Sequence, residues 1–279
     1  MDTHWDAVLI ATPAHTHISI ALQVALHGQN LLIEKPLSTS LEGITELQHT
    51  VKKKNLLAAV SYNYRAHPGF RAMKTAIDSG KFGKPLQFYV VAGQNFSTYR
   101  PAYRDIYFAD RSKGGGAVQD ALTHSLNIGE WFLGPIDRIT VDAAHQLLEG
   151  VTVEDTVHVL TRQGSVMGSY TLNLYQQPNE STLTLVCEKG TLRFELHKEC
   201  FRWMDTPEGI WHEEPHTLEG RDTWYILNAA FFLDTLEGKM EPLCSLDDGI
   251  QTLRVNLAAL AAMESQQWQQ IKGGVDAGS

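Results

Sequence analysis

The first sixty residues alternate short apolar runs with helical periodicity. The stretch "AVLIA" (Ala7 to Ala11) reads as a strand, and Ile18, Ala21, Leu22, Ala25 and Leu26 then fall on one helical face, with Gly28 as a stop. "NLLIE" predicts a second strand, Leu41, Ile44, Leu47 and Val51 a second helix, and "LLAAVSY" a third strand. Strands apolar along their whole length, separated by amphipathic helices, indicate a parallel sheet covered on both faces. The pattern is one half of a doubly wound nucleotide-binding sheet.

From about residue 84 the pattern becomes alternation with turn signals, in "PLQFYVVAG", "DRITVDAAHQLL", "DTVHVLTRQGSVMGSYTLNLY" and "STLTLVCEKGTLRFEL". The short Gly-containing connections "RQGS" and "EKGT" predict antiparallel hairpins. Helices follow over Trp224 to Leu236 and Asp248 to Gln267, where Ile250, Leu253, Leu257 and Leu260 recur at helical spacing. The expected fold class is α/β plus α+β: a truncated Rossmann-like parallel half (1–62), then an open-faced antiparallel sheet domain with helices on one face (63–279).

Composition narrows the function. The 279 residues are 43% apolar and 20% charged, with net charge -9 and no basic block beyond Lys52 to Lys54, so nucleic acid is not an expected partner. Cys187, Cys200 and Cys244 have neither disulfide-framework nor zinc spacing, which fits a reducing cytoplasm. The start "MDTHWDAVLIATP" lacks a basic leader, and no apolar run is long enough for a membrane span.

Two stretches could carry chemistry. "LLIEKPLS" ends a buried strand in Glu34, Lys35 and Pro36, at the carboxyl edge of a parallel sheet where ligands bind. Burial there disfavours the charged amine, so Lys35 could relay a proton near neutral pH, and Pro36 holds its backbone extended. The bland alternative is a surface Glu–Lys pair. In "GGGAVQDALTHSLNIGEWFLG", three glycines permit close approach to a ligand or a positive φ, and Asp120, His124 and Asn127 follow on one helical face. A carboxylate beside an imidazole suits a general base; a solvated i,i+4 pair is equally compatible. No second cluster supports a metal. His15 and His17 flank the first helix start, where they could meet a polar ligand or simply cap and pack. The Tyr- and Arg-rich loop Asn95 to Lys113 offers Arg100, Tyr103 and Arg104 to a carboxylate or polyol, unless it is an ordinary exposed loop.

Together "DAVLIATPAHTHISIALQVALHGQNLLIEKPLS", "YNYRAHPGF" and "GGGAVQDALTHSLNIGEWFLG", in that order, resemble the glucose-fructose oxidoreductase, inositol dehydrogenase and rhizopine-catabolism (Gfo/Idh/MocA) family over essentially the whole chain. The resemblance implies NAD or NADP as cofactor and hydride transfer at a hydroxyl carbon of a sugar, cyclitol or related polyol. It implies Lys35 and His124 as catalytic groups with Asp120 orienting the base or binding substrate, and a cis bond before Pro36. Thr12, Pro13, His17, Glu34, Lys35, Pro36, Asn63 and Arg65 would contact the cofactor; Arg100, Tyr103, Arg104, Asp120 and Asn127 the substrate. Asn127 stands where the family commonly has Asp. No Gly-x-Gly-x-x-Gly occurs, and the chain begins where the fourth strand of such a sheet would lie, so weak or absent dinucleotide binding is expected of this chain alone. The same resemblance leaves open an NAD-dependent glycoside hydrolase working by oxidation and elimination, or a non-catalytic ligand-sensing relative. Phe88, Tyr89, Tyr170 and Tyr175 are expected on the open sheet face, making a homodimer or homotetramer.

Overall fold

A computed structural model describes residues 5–220 and 222–271. Residues 1–4, part of the start read above for a leader, and the end of the expected second unit lie outside them. Strands β1 (Ala7–Ile10), β2 (Asn30–Glu34) and β3 (Ala58–Ser61) form a parallel sheet in that order, with Ala7 opposite Asn30 and Leu31 opposite Ala58. Helices α1 (His17–Leu26) and α2 (Ile44–Lys53) connect them. The buried face of α1 is Ile18, Ala21, Val24 and Ala25; Leu26, expected on it, is exposed. Helix α2 begins three residues later than the apolar spacing predicts. Gly43 enters it with φ +73°, a left-handed conformation glycine adopts without strain, and Leu41 stays outside.

Helix α3 (Pro68–Asp78) leads into a nine-stranded sheet, joined by β4 (Pro85–Asn95), the short α4 (Phe96–Tyr99), α5 (Thr123–Leu133), β5 (Arg138–Ala144), β6 (Thr156–Gln163), β7 (Val166–Asn173), β8 (Tyr175–Cys187), β9 (Gly190–Glu195), β10 (Cys200–Met204) and β11 (His212–Pro215). After α6 (Thr223–Leu236) and α7 (Leu246–Ser265), β12 (Gln269–Gln270) closes the far edge. The order is β11-β10-β9-β8-β4-β7-β6-β5-β12. Both Gly-containing connections form hairpins, β6–β7 and β8–β9. The sheet is mixed where antiparallel pairing throughout was expected, because β4 lies parallel to β7. No tight turn joins those two strands, so the long excursion from residue 96 to 165 leaves their relative direction free.

One helix binds the two sheets together. Ile250 and Leu253 of α7 pack into the parallel-sheet core with Ile33, Val60 and Tyr62, while Val255, Ala259 and Ala262 pack into the larger core with Phe88, Tyr170 and Leu183. Fully burying Ile250 or Leu253 contributes about 2 kcal/mol each. Phe88 and Tyr170 are therefore core residues on the helix-covered face, correcting their expected place on the open one; strand alternation sends their neighbours outward instead. That open face carries exposed Val91, Leu160 and Met167 with half-buried Tyr89. No described helix is long and apolar enough to cross a membrane.

Candidate active site

Where the ends of the parallel strands meet the large sheet, a cavity of about 670 Å³ is lined by Lys35, Asn63, Tyr64, Arg100, Asp120 and His124, and by Glu180, His197 and Trp224 further out. Lys35 reaches it from the end of β2 after a half-buried Glu34, whose carboxylate accepts from the Lys35 backbone N–H (3.2 Å) and the Ser61 hydroxyl (2.9 Å). Glu34 thus braces the turn. The Lys35–Pro36 bond is cis.

Lys35 Nζ donates to the Asp120 main-chain oxygen at 2.6 Å and to Oδ1 at 3.1 Å. Tyr107 Oη donates to the same Oδ1 at 2.7 Å, and Arg100 donates to Tyr107 Oη (3.1 Å) and to Asp120 Oδ2 (3.4 Å). Burial alone would depress the Lys35 pKa, yet the charge and hydrogen bond of Asp120, together with Tyr107, outweigh it and hold the amine above its ordinary 10.5. The expectation of a lysine titrating near neutrality is therefore corrected: a buried counter-ion reverses the effect of burial. Burial also works against the Asp120 carboxylate, but Lys35, Arg100 and Tyr107 keep it below its usual 3.8.

Asp120 does not hydrogen-bond the His124 ring, as i,i+4 spacing implied. Residues Val118–Leu122 form a single π-helical turn before α5, which breaks the regular α spacing, and Asp120 meets Lys35 instead. The His124 ring stacks on Tyr64, with centroids 4.6 Å apart and planes 18° apart, and meets Tyr62 edge-on at 6.0 Å. Its Nδ1 is buried without a hydrogen-bond partner. Burial, then the Lys35 charge, push its pKa well below 6.5, against a smaller opposing pull from Asp120, so the ring is neutral and able to accept a proton.

The triple glycine serves packing and backbone conformation. A Cβ on Gly115 would lie 2.3 Å from the Phe108 carbonyl oxygen, and one on Gly116 2.4 Å from buried Glu154 Oε1, while Gly114 (φ +94°) and Gly116 (φ +88°) adopt the positive φ expected of them. His17 is likewise structural: buried, with Nε2 2.7 Å from the Thr12 carbonyl oxygen and Nδ1 3.1 Å from that of Pro36, it ties the β1 and β2 loops together. Thr12 and Pro13 are exposed on the loop after β1, outside the cavity lining, and Pro36 is buried beneath Lys35.

Four further expected contacts lie elsewhere. Arg65 points away from the cavity that its neighbours Asn63 and Tyr64 line; it donates to Asn127 Oδ1 (2.8 Å), the Leu243 carbonyl (2.9 Å) and Asp248 (3.3 Å). Asn127 passes the chain on to Thr252 at 2.9 Å, so both are buried braces between α5 and α7, where cofactor and substrate contacts were expected. Tyr103 and Arg104 both bond the Glu149 carbonyl, at 2.7 and 2.8 Å, and neither lines the cavity that Arg100 reaches. Sequence reasoning missed Tyr107, Tyr64 and Trp224. Tyr107 sat in the loop singled out for its Tyr and Arg content, and Tyr64 beside Asn63; the position of Trp224, whose ring meets Tyr64 at 5.4 Å, has no sequence signal.

A three-stranded parallel sheet sharing a cavity with a large mixed sheet defines a two-part α/β plus α+β protein of Rossmann type. Comparison with known proteins sharpens this. Residues 1–62 match the model of an oxidoreductase family with an NAD-binding Rossmann fold, and residues 70–193 that of the GFO/IDH/MocA C-terminal domain. The chain belongs to the Gfo/Idh/MocA oxidoreductase family. It is 31% identical over 138 residues to levoglucosan dehydrogenase of Pseudarthrobacter phenanthrenivorans, and 30% over 129 residues to scyllo-inositol 2-dehydrogenase (NAD(+)) of Bacillus subtilis. These alignments cover 50% and 46% of this chain and 35% of each relative. A longer match, 24% identical over 98% of this chain and 82% of the relative, is to 1,5-anhydro-D-fructose reductase of Ensifer adhaerens. The fold is similar to that of a levoglucosan dehydrogenase solved with NADH and levoglucosan, with TM-score 0.84 at 22% identity over 95% of this chain and 80% of the other.

Proposed function

We propose that this chain oxidises or reduces a hydroxyl-bearing carbon of a neutral sugar, cyclitol or related polyol, with NAD or NADP as the hydride partner. The observation that carries the reading is the shared cavity: a charged lysine from the parallel sheet and a neutral, unpartnered imidazole from α5 line the same space. Lys35 has spent two of its three N–H groups on Asp120, and the third is available to a substrate oxygen. In alcohol oxidation Lys35 steadies that oxygen while a His124 ring nitrogen takes the hydroxyl proton, as the C–H hydride departs and the carbonyl forms. The bound nicotinamide supplies hydride acceptance at its C4.

The polar groups beside the sheet fit the nicotinamide-ribose end of a dinucleotide: Lys35 is a donor, and Asn63 Oδ1 is a buried acceptor without a partner. Weak dinucleotide affinity for this chain alone belongs to the proposal. Neutral substrates are favoured because the cavity's cations, Lys35 and Arg100, are matched by Asp120 and Glu180, and Arg100 is already held by Asp120 and Tyr107. The apolar positions Val91, Leu160 and Met167 on the open sheet face support self-association into a homodimer or homotetramer.

The test is a panel of neutral cyclitols and aldoses with NAD and NADP, followed by reduced-nicotinamide absorbance, beside calorimetry of polyol binding. Turnover that disappears in Lys35→Met and His124→Asn is expected. The reading fails if no neutral polyol either binds or is oxidised.

A further inference from the structure

Tyr107 does not line the cavity, yet its phenol touches the one carboxylate on which Lys35 depends. Asp120 Oδ1 accepts from both Tyr107 and Lys35, whereas Oδ2 has only the longer contact to a part-exposed Arg100. Tyr107 Oη in turn accepts from Arg100, so its hydrogen is directed at Asp120. Close by, the His124 ring carries a buried Nδ1 with no partner, to which an unrestrained carboxylate would be drawn. We propose that Tyr107 is a positioning residue: from behind the cavity wall it pins the Asp120 carboxylate on Lys35 and keeps it from turning to His124, so that the imidazole remains a free base. The catalytic meaning of this role rests on the dehydrogenase reading; the placement itself does not.

The charged and titratable groups around the His124 ring are Lys35, Asp120 and Arg100, with the Tyr62 and Tyr64 rings against it. Of the three charges only Asp120 favours the protonated ring. Releasing that carboxylate must therefore raise the ring's protonation midpoint. The full chain, labelled at histidine and with His124→Asn for assignment, is titrated by NMR from about pH 8 downward until the His124 ring protonates. In the parent its midpoint lies below that of an ordinary imidazole. Tyr107→Phe keeps the aromatic ring, and its His124 midpoint is expected to rise by about one pH unit. Tyr103→Phe removes a phenol from the same loop that bonds Glu149 instead, and should leave the titration as it was.

An unmoved or lowered midpoint in Y107F, or an equal rise in Y103F, overturns the proposal. In an Asp120→Asn background Y107F should add nothing; a second rise of the same size would show Tyr107 acting through another group and overturn it as well. In turnover, Y107F is expected to lose about tenfold in kcat with little change in KM, because the phenol stands outside the cavity. If neither parent nor variant binds or turns over a polyol, the dehydrogenase reading fails, while the titration still decides the role of Tyr107.

Discussion

Replacing Asp120 with Asn deletes a buried negative charge while keeping the side chain's shape. Asp120 Oδ1 and Lys35 Nζ are 3.1 Å apart, and at an effective dielectric constant of about 20 two unit charges at that separation attract by about 5 kcal/mol. Removing both groups from water offsets part of this, so Asp120→Asn, which strands the ammonium, should cost about 3 kcal/mol near neutral pH. The amine stays in place through the main-chain oxygen of residue 120, at 2.6 Å. Its protonation does not, since burial then acts on Lys35 with its main counterweight gone and lowers its pKa.

The pH dependence follows from the directions of the two shifts. Asp120 is depressed in the fold, so its contribution is complete above the unfolded value of 3.8 and is lost as pH falls through the folded value. Lys35 is raised, so its contribution is complete below 10.5 and is lost as pH rises through the folded value. The stability gap between parent and D120N, measured by urea unfolding monitored by circular dichroism, should be flat from about pH 5 to about pH 9 and shrink at both ends. A gap below about 1 kcal/mol at neutrality, or one undiminished in strong acid, would refute the reasoning.

Other sites allow similar tests. Glu130 accepts from Thr252, Gln251 and the Ile136 N–H, but burial raises its carboxyl from 4.5 to about 7. Because the unfolded state ionises first, stability should fall as pH rises through that interval, by about 3 kcal/mol, and Glu130→Gln should flatten the slope; equal slopes in parent and variant would contradict this. At Gly129 a Cβ would stand 2.2 Å from Tyr170 Oη and 3.3 Å from Phe88, so Gly129→Ala should lower stability by about 2 kcal/mol through overpacking, read as a lower urea midpoint with unchanged slope.

What the sequence determined by itself is the local and the periodic. Apolar runs bounded by Gly and polar residues specify β1 to β3 and their helices, because a strand buried on both faces needs apolar side chains throughout. The two Gly-containing connections specify their hairpins, since a short loop leaves the strands few ways to pair. Lys35 was legible as a site residue because it interrupts such a strand at its carboxyl end. Tertiary structure decided the rest. The parallel pairing of β4 with β7 depends on a route of some seventy residues that carries no local preference. The partner of Asp120 could not be read because the i,i+4 rule assumes an unbroken α-helix, and a π-helical turn intervenes. Arg65 and Asn127 were expected as ligand contacts from the family resemblance, yet each finds its partner across a buried interface between elements distant in sequence. The charge of Lys35 shows the reason most plainly: burial alone lowers an amine's pKa, but a carboxylate eighty-five positions away, brought within 3.1 Å, raises it, and only the fold brings the two together.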